Sequence, residues 1–80
     1  MDIKSAIAVH MLEVCEERGI RPNDLAVRSG VTPSTVYSML DSRRKDISVS
    51  TLKKLCDGLD IPLVEFFAAD VFKDLEQELR

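Results

Sequence analysis

Residues 24–37 have the sequence DLAVRSGVTPSTVY, the most informative segment of the 80-residue chain. Gly30 supplies a residue that tolerates a positive φ at a tight turn, and Ala26 supplies a small side chain where two helices cross closely. Thr32 is a favourable N-cap residue, and Pro33 suits a first helical turn because its missing N–H costs nothing there. The segment therefore predicts two short helices joined by a tight turn.

The segments on either side of this turn have the pattern of helices. The first is expected to begin at Pro22 and to end before the glycine. The second is expected to run from about Pro33 to Ser42, with Val36 on its inner face. Two short helices joined in this way form a helix-turn-helix, which presents its second helix to the major groove of DNA.

The rest of the chain continues the helical pattern, and no stretch shows the alternation of a strand. Apolar residues three and four apart predict a long first helix, a fourth capped by Ser48 or Ser50, and a fifth from about Pro62. We therefore predict an all-α fold. The helix-turn-helix domain is expected to span residues 1–70, followed by a short C-terminal helical extension over residues 71–80.

The formal net charge of the chain is −3, but the charges are unevenly distributed. Residues 18–54 contain eight basic and three acidic side chains, a balance of +5, whereas residues 1–17 carry −3 and residues 55–80 carry −5. The net negative charge argues against a uniformly basic nucleic-acid-binding protein. It leaves open a protein with one basic face, formed by the middle segment.

Several functional classes receive no support from the sequence. The apolar runs are too short for a transmembrane helix and the N-terminus does not resemble a signal peptide, so we expect a cytoplasmic protein without a membrane partner. His10 has no Cys or His at metal-ligand spacing. Cys15 and Cys56 are expected to be buried packing thiols, with a redox pair as the alternative. We predict neither an enzyme nor a cofactor, since no catalytic motif is present.

Several segments together resemble the Cro and lambda-repressor class of helix-turn-helix proteins, the XRE family. They are DLA at residues 24–26, SGVT at 29–32, STVY at 34–37, SVSTLKKL at 48–55 and LDIPL at 59–63. The resemblance covers about residues 5–67. It implies a lambda-repressor-like domain of five helices that binds operator DNA, commonly as a two-fold homodimer.

In that class the DNA contacts come from the turn, from the exposed face of the third helix and from the loop after it. Carried onto this chain, the resemblance implies a DNA-binding set of Thr32, Pro33, Ser34, Thr35, Tyr37, Ser38, Arg43, Arg44, Lys45 and Ser48. Arg21 and Arg28 flank the second helix and are further candidates for contacts to the DNA backbone.

A helical wheel gives much the same face independently of the resemblance. With Val36 inward, Ser34 and Ser38 point outward and Tyr37 lies beside them. The family more commonly places Gln, Arg or Asn on this face. Here no side chain within the helix can make the bidentate contact that Arg makes to guanine, so we expect direct base contacts to be few.

The basic run RRK at residues 43–45 follows the helix directly. Many short charge runs are only solvated loops, but the position of this one favours contacts to phosphates. Asp41 precedes the run and would repel phosphate unless it accepts a hydrogen bond from a cytosine or from Arg44. We expect DNA shape and the basic run to supply more of the binding than base contacts do.

The C-terminal segment carries an apolar stripe of Val71, Phe72, Leu75 and Leu79. One interpretation is that the stripe packs on the chain's own Phe66 and Phe67, and the other is a dimer contact between two copies. The sequence leaves both open. Dimerisation would suit the motif because an isolated helix-turn-helix covers only one half-site.

Three functions are compatible with this sequence. The leading one is a sequence-specific transcriptional regulator, a small prokaryotic or phage repressor that binds double-stranded operator DNA in the major groove. The second is an antitoxin-like autoregulator whose acidic C-terminal segment binds a partner protein. The third is a protein-interaction module that uses the same fold without binding DNA.

Overall fold

The computed structural model describes residues 1–79, and over that range it contains helices and no strand. The five α-helices are α1 (Ile3–Arg18), α2 (Pro22–Ser29), α3 (Pro33–Leu40), α4 (Val49–Gly58) and α5 (Leu63–Phe66). A single 3-10 turn, Asp70–Phe72, follows α5. The predicted all-α fold of five helices is confirmed. Across the described residues, no helix has both the length and the apolar character needed to cross a membrane.

The helix ends coincide with local sequence signals. Gly19 and Gly30 adopt left-handed φ values of 65° and 69°, and their N–H groups bond back to the carbonyls of α1 and α2. Thr32 and Ser48 cap α3 and α4, each accepting a hydrogen bond from the N–H three residues later. The tight turn between α2 and α3 therefore depends on interactions within the segment itself.

Buried apolar side chains from all five helices form one core. Phe66 is fully buried, and Val36 and Met39 of α3 lie in the same cluster, as the helical pattern predicts. The thiols of Cys15 and Cys56 are also buried there, which agrees with their predicted packing role. Burying each large side chain stabilises the fold by roughly 1.5–3 kcal/mol, so α3 is held firmly against the domain.

Helices α2 and α4 approach closely where Gly58 faces Ser29. A Cβ atom at Gly58 would lie 3.1 Å from the Cα and Cβ atoms of Ser29 and would overlap its Oγ. Glycine is therefore required here by the proximity of the two helices. The contact matters for the motif because α2 also packs on α3.

The helical extension predicted for residues 71–80 is reduced to the 3-10 turn Asp70–Phe72, and residues 75–79 have no regular secondary structure. Arg80 lies outside the described residues. Helix α3 is also shorter than predicted, ending at Leu40 because Asp41 has an extended backbone with ψ of 114°.

Contacts with the N-terminus explain why the last residues do not continue as a helix. The N–H of Glu76 donates to the carbonyl of Met1 at 3.0 Å. The N–H of Ile3 donates to the carboxylate of Glu78 at 3.4 Å. The N-terminal ammonium group lies 3.6 Å from the carboxylate of Glu76. The segment thus pairs with the start of α1, and the Glu76 N–H bonds to Met1 instead of within a helix.

Candidate nucleic-acid interface

The N-terminal end of α3 presents a cluster of hydroxyl groups. Thr32 Oγ1 lies 2.9 Å from Ser34 Oγ and 3.0 Å from Thr35 Oγ1. Farther along the helix, the side chain of Tyr37 is 52% exposed. Hydroxyl groups can bond to base edges or phosphates, and an aromatic ring can contact the methyl group of thymine. This end of α3 therefore has the chemistry of a DNA-contacting surface.

A groove of about 240 Å³ separates α3 from the N-terminus of α4. Its walls are formed by Ser34, Thr35, Ser38, Met39, Arg44, Asp46, Ile47, Ser48 and Thr51. The groove thus brings predicted contacts from α3, from the basic run and from the α4 cap onto one surface. Thr51 was not predicted, although it lies three residues after Ser48 and accepts a hydrogen bond from the Ser48 hydroxyl at 2.7 Å.

The remaining predicted contacts do not line this groove. Thr32, Pro33 and Tyr37 are exposed at the N-cap of α3 and along that helix, and Arg43 and Lys45 are exposed on the loop that follows. Arg21 is exposed at the N-cap of α2. Arg28 lines a separate hollow with Arg18 and Gly19 at the end of α1. The structure therefore brings Arg44 to the groove and leaves Arg28 outside it.

Asp41 and Arg43 form a bidentate ion pair at the end of α3. Arg43 donates from Nε to Oδ1 at 3.1 Å and from Nη2 to Oδ2 at 3.0 Å. The Arg43 backbone N–H also donates to Asp41 Oδ1, at 3.0 Å. These hydrogen bonds from Arg43 lower the pKa of Asp41 to about 2. The partner of Asp41 is therefore Arg43 and not Arg44, the partner considered from the sequence.

Lys4 of α1 supports the end of α3 from inside the domain. Its side chain is only 3% exposed, and its Nζ donates to the backbone carbonyl of Asp41 at 2.7 Å. This role of Lys4 was not predicted from the sequence. A signal was available, since Lys4 lies three residues before Ile7 and so on the buried face of α1.

Asp2 connects the start of α1 to the basic run. Its carboxylate accepts a hydrogen bond from the N–H of Ser5 at 2.8 Å and lies 3.6 Å from Nζ of Lys45. Hydrogen bonds from Ser5, and to a lesser extent the charge of Lys45, keep the pKa of Asp2 below its usual value. The N-cap residue of α1, Asp2, and the C-cap residue of α3, Asp41, therefore both pair with cations of the loop.

Part of the C-terminal apolar stripe packs on the chain's own core. The ring of Phe72 lies 4.8 Å from that of Phe67 and 5.6 Å from that of Phe66, between ring centroids. The ring of His10 completes this cluster, 5.9 Å from Phe72. Of the other stripe residues, Val71 and Leu75 are half-buried and Leu79 is 80% exposed. Phe72 therefore packs on the chain's own core, as the first of the two interpretations predicts. The dimer contact stays a prediction.

The thiol of Cys56 has no place in this interface. Burial, with a smaller contribution from the neighbouring charge of Asp57, raises its pKa to about 11. It is therefore a protonated packing group at neutral pH.

A comparison with protein families supports the interpretation of this surface. A family model for the Cro/C1-type HTH DNA-binding domain matches residues 10–70, which include α2, α3, α4 and the groove between the last two. The comparisons with curated proteins and with solved structures gave no significant match.

Proposed function

Because the chain belongs to the family of Cro/C1-type helix-turn-helix DNA-binding domains, we propose that it is a sequence-specific transcriptional regulator that represses by occupying operator DNA. Helix α3 enters the major groove with its hydroxyl cluster and Tyr37 toward the bases. The loop after α3 and the start of α4 follow the adjacent phosphates. The protein acts in the cytoplasm, on double-stranded DNA.

The groove between α3 and α4 is the observation that carries this proposal. It places Ser34 and Ser38 beside Arg44 and the N-cap residue Ser48. The first turn of α4 contains no acidic residue, and the partial positive charge of a helix N-terminus favours an anion. The exposed carboxylate of Asp46 lines the same groove and opposes that charge. One surface thus combines small polar groups for base edges with a cation and a helix N-terminus for phosphates.

The proposal extends to a homodimer that binds two half-sites. One α3 helix covers a single half-site, and a two-fold dimer would present two such helices about 34 Å apart on one face of the DNA. Two connected heads bind a bipartite operator more tightly than one head does. A selected site made of two inverted half-sites would support this part of the proposal.

Selection from random double-stranded DNA tests the function directly. The expected result is an enriched motif that the protein binds more tightly than a scrambled duplex of the same length. Tyr37→Ala should reduce this preference, because the exposed ring lies on the face assigned to the bases. Gln77→Ala, an exposed change in the C-terminal segment, serves as the control and should leave the preference unchanged.

Two outcomes would overturn the proposal. Failure to enrich a motif, together with no retarded duplex even at low salt, would exclude a DNA-binding regulator. Co-purification with a partner protein under those conditions would favour the antitoxin-like or interaction-module hypothesis. Repression itself is tested by placing the selected site across a reporter promoter, where occupancy should lower expression and a rise would indicate an activator.

A further inference from the structure

The three cations of the basic run, Arg43, Arg44 and Lys45, differ in their acidic partners. Arg43 is paired with Asp41, and Nζ of Lys45 lies 3.6 Å from Asp2. Within residues 1–79, no ion pair involves Arg44, which lines the groove beside α3. Two of the three cations are therefore engaged by carboxylates of the same molecule.

The pair between Asp41 and Arg43 uses the donors with which an arginine binds phosphate. Nε and Nη2 point at the two oxygens of one planar anion, which is the bidentate arrangement shared by carboxylate and phosphate partners. Arg43 is nevertheless 88% exposed, and it belongs to the loop that the proposed function assigns to the phosphates. A phosphate that uses this donor edge must first displace the carboxylate of Asp41.

We propose that Asp41 is an internal competitor for Arg43 that sets the affinity of this protein for the DNA backbone. The inference rests on the proposed function and deepens it. Asp41 weakens a phosphate contact, and phosphate contacts carry no sequence information. The competitor therefore lowers binding to operator and to other DNA by the same factor, and so limits the occupation of non-specific sites.

The competition is constant over the physiological pH range. With a pKa of about 2, the Asp41 carboxyl is ionised at any pH near neutrality. Asp2 competes with phosphate for Lys45 in the same way, but the two charged groups are farther apart, at 3.6 Å. Asp41 is thus the residue at which the effect should be measured first.

The test compares Asp41→Asn with Asp70→Asn. Each removes one negative charge, but Asp70 pairs with Lys73 at 2.9 Å in the C-terminal turn and lies outside the groove. Asp41→Asn should bind the selected duplex about two- to fivefold more tightly than Asp70→Asn, because the free energy of an exposed ion pair corresponds to a factor of this size. The slope of log K against log salt should steepen by up to ~0.9, one additional phosphate contact.

Three outcomes distinguish the competitor from other roles of Asp41. An equal gain for the selected and scrambled duplexes supports the competitor. A loss of preference for the selected duplex would show that Asp41 contacts a base and overturns it. Weaker binding by Asp41→Asn would show that the carboxylate positions Arg43 for phosphate, which also overturns it. Asp41→Ala repeats the test without an amide that can retain a hydrogen bond to Arg43.

A double-mutant cycle locates the effect. In an Arg43→Ala background, Asp41→Asn should change affinity no more than Asp70→Asn does, because the partner is already absent. An undiminished gain in that background would overturn the inference. NMR titration of the carboxyl carbons supplies a check without DNA: the pKa of Asp41 should rise from about 2 toward 3.8 in Arg43→Ala. An unchanged pKa would likewise overturn it.

Heparin, a sulfated polyanion, separates this inference from the proposed function. Asp41→Asn should elute from a heparin column at higher salt than Asp70→Asn, whether or not the protein binds DNA. If the protein binds no duplex but this order holds, the regulator proposal fails and the competition for Arg43 stands. If the two variants elute together, the competitor is overturned even where DNA binding is established.

Discussion

The ammonium group of Lys4, on α1, donates a 2.7 Å hydrogen bond to the backbone carbonyl of Asp41, the C-cap residue of α3. A helix leaves its last carbonyls without intrahelical partners, and a cation near them is favourable. Lys4 is buried, so this contact attaches the end of α3, the proposed DNA-contacting helix, to the interior of the domain. Asp41 thus accepts a hydrogen bond from Lys4 at its backbone carbonyl and hydrogen bonds from Arg43 at its carboxylate.

Replacing Lys4 with Met should destabilise the protein by about 1.5–3 kcal/mol, the usual value of a hydrogen bond to a charged group. Methionine keeps most of the apolar stem and leaves the carbonyl of Asp41 without its partner. Urea unfolding measures the change, with Lys54→Met on the exposed face of α4 as the control. Equal stability of the two variants would contradict the anchoring role of Lys4.

The close approach of α2 and α4 predicts opposite effects for two small substitutions. Gly58→Ala should destabilise the protein by about 1–3 kcal/mol, because its Cβ would lie 3.1 Å from the Cα of Ser29. Ser29→Ala should be neutral or stabilising, since the buried Oγ of Ser29 has no hydrogen-bond partner within residues 1–79. Thermal unfolding of both variants checks this, and a Gly58→Ala variant as stable as the parent would refute it.

Features determined within a few neighbouring residues were predictable from the sequence. The glycine ends of α1 and α2 and the Thr32 and Ser48 caps depend on contacts no more than five residues apart. The resemblance carried over Ser34, Ser38 and Arg44, which share the groove. The burial of Lys4 could be predicted from its helical position, but its partner could not, because the carbonyl of Asp41 is 37 residues away. The C-terminal segment escaped prediction because pairing with Met1 competes with local helix formation.

Two residues of the C-terminal apolar stripe, Phe72 and Leu79, should differ in their contribution to stability. Phe72→Ala should cost about 1–3 kcal/mol, less than a fully buried phenylalanine, because the ring is half-buried against Phe66 and Phe67. Leu79→Ala should leave stability unchanged, since the side chain is 80% exposed. Chemical unfolding and analytical ultracentrifugation on both variants measure stability and assembly. A shift from dimer to monomer in Leu79→Ala would support the predicted dimer contact.

Acid should weaken the contribution of the pair between Asp41 and Arg43. The folded pKa of Asp41, about 2, lies below its ordinary value of 3.8, so the pair stabilises the protein fully above the unfolded pKa. That contribution is lost as the pH falls from about 4 through 2. The unfolding free energy of the parent should therefore fall more steeply than that of Asp41→Asn in this range. Parallel curves from urea unfolding at stepped pH would show that the pair contributes nothing.

Arg44 and Arg43 should differ in their importance for DNA binding, although they are adjacent cations. Arg44 lines the groove beside α3, whereas Arg43 must exchange Asp41 for phosphate. Arg44→Ala should weaken binding about tenfold, ~1.4 kcal/mol, for selected and scrambled duplexes alike, and should reduce the salt slope by about 0.9. Arg43→Ala should weaken DNA binding less than Arg44→Ala does. In the parent protein Arg43 can bind a phosphate only after its ion pair with Asp41 is broken, and that cost offsets part of the gain.

Fluorescence anisotropy at several salt concentrations between about 50 and 200 mM gives both the affinity and the slope. Lys53→Ala is the matched control, since Lys53 pairs with Asp57 on α4 and does not line the groove. Equal losses for Arg43→Ala and Arg44→Ala would show that the cost of displacing Asp41 is negligible. An unchanged slope in Arg44→Ala would show that this side chain does not contact phosphate, and the groove would then no longer support the assignment of the loop to the DNA backbone.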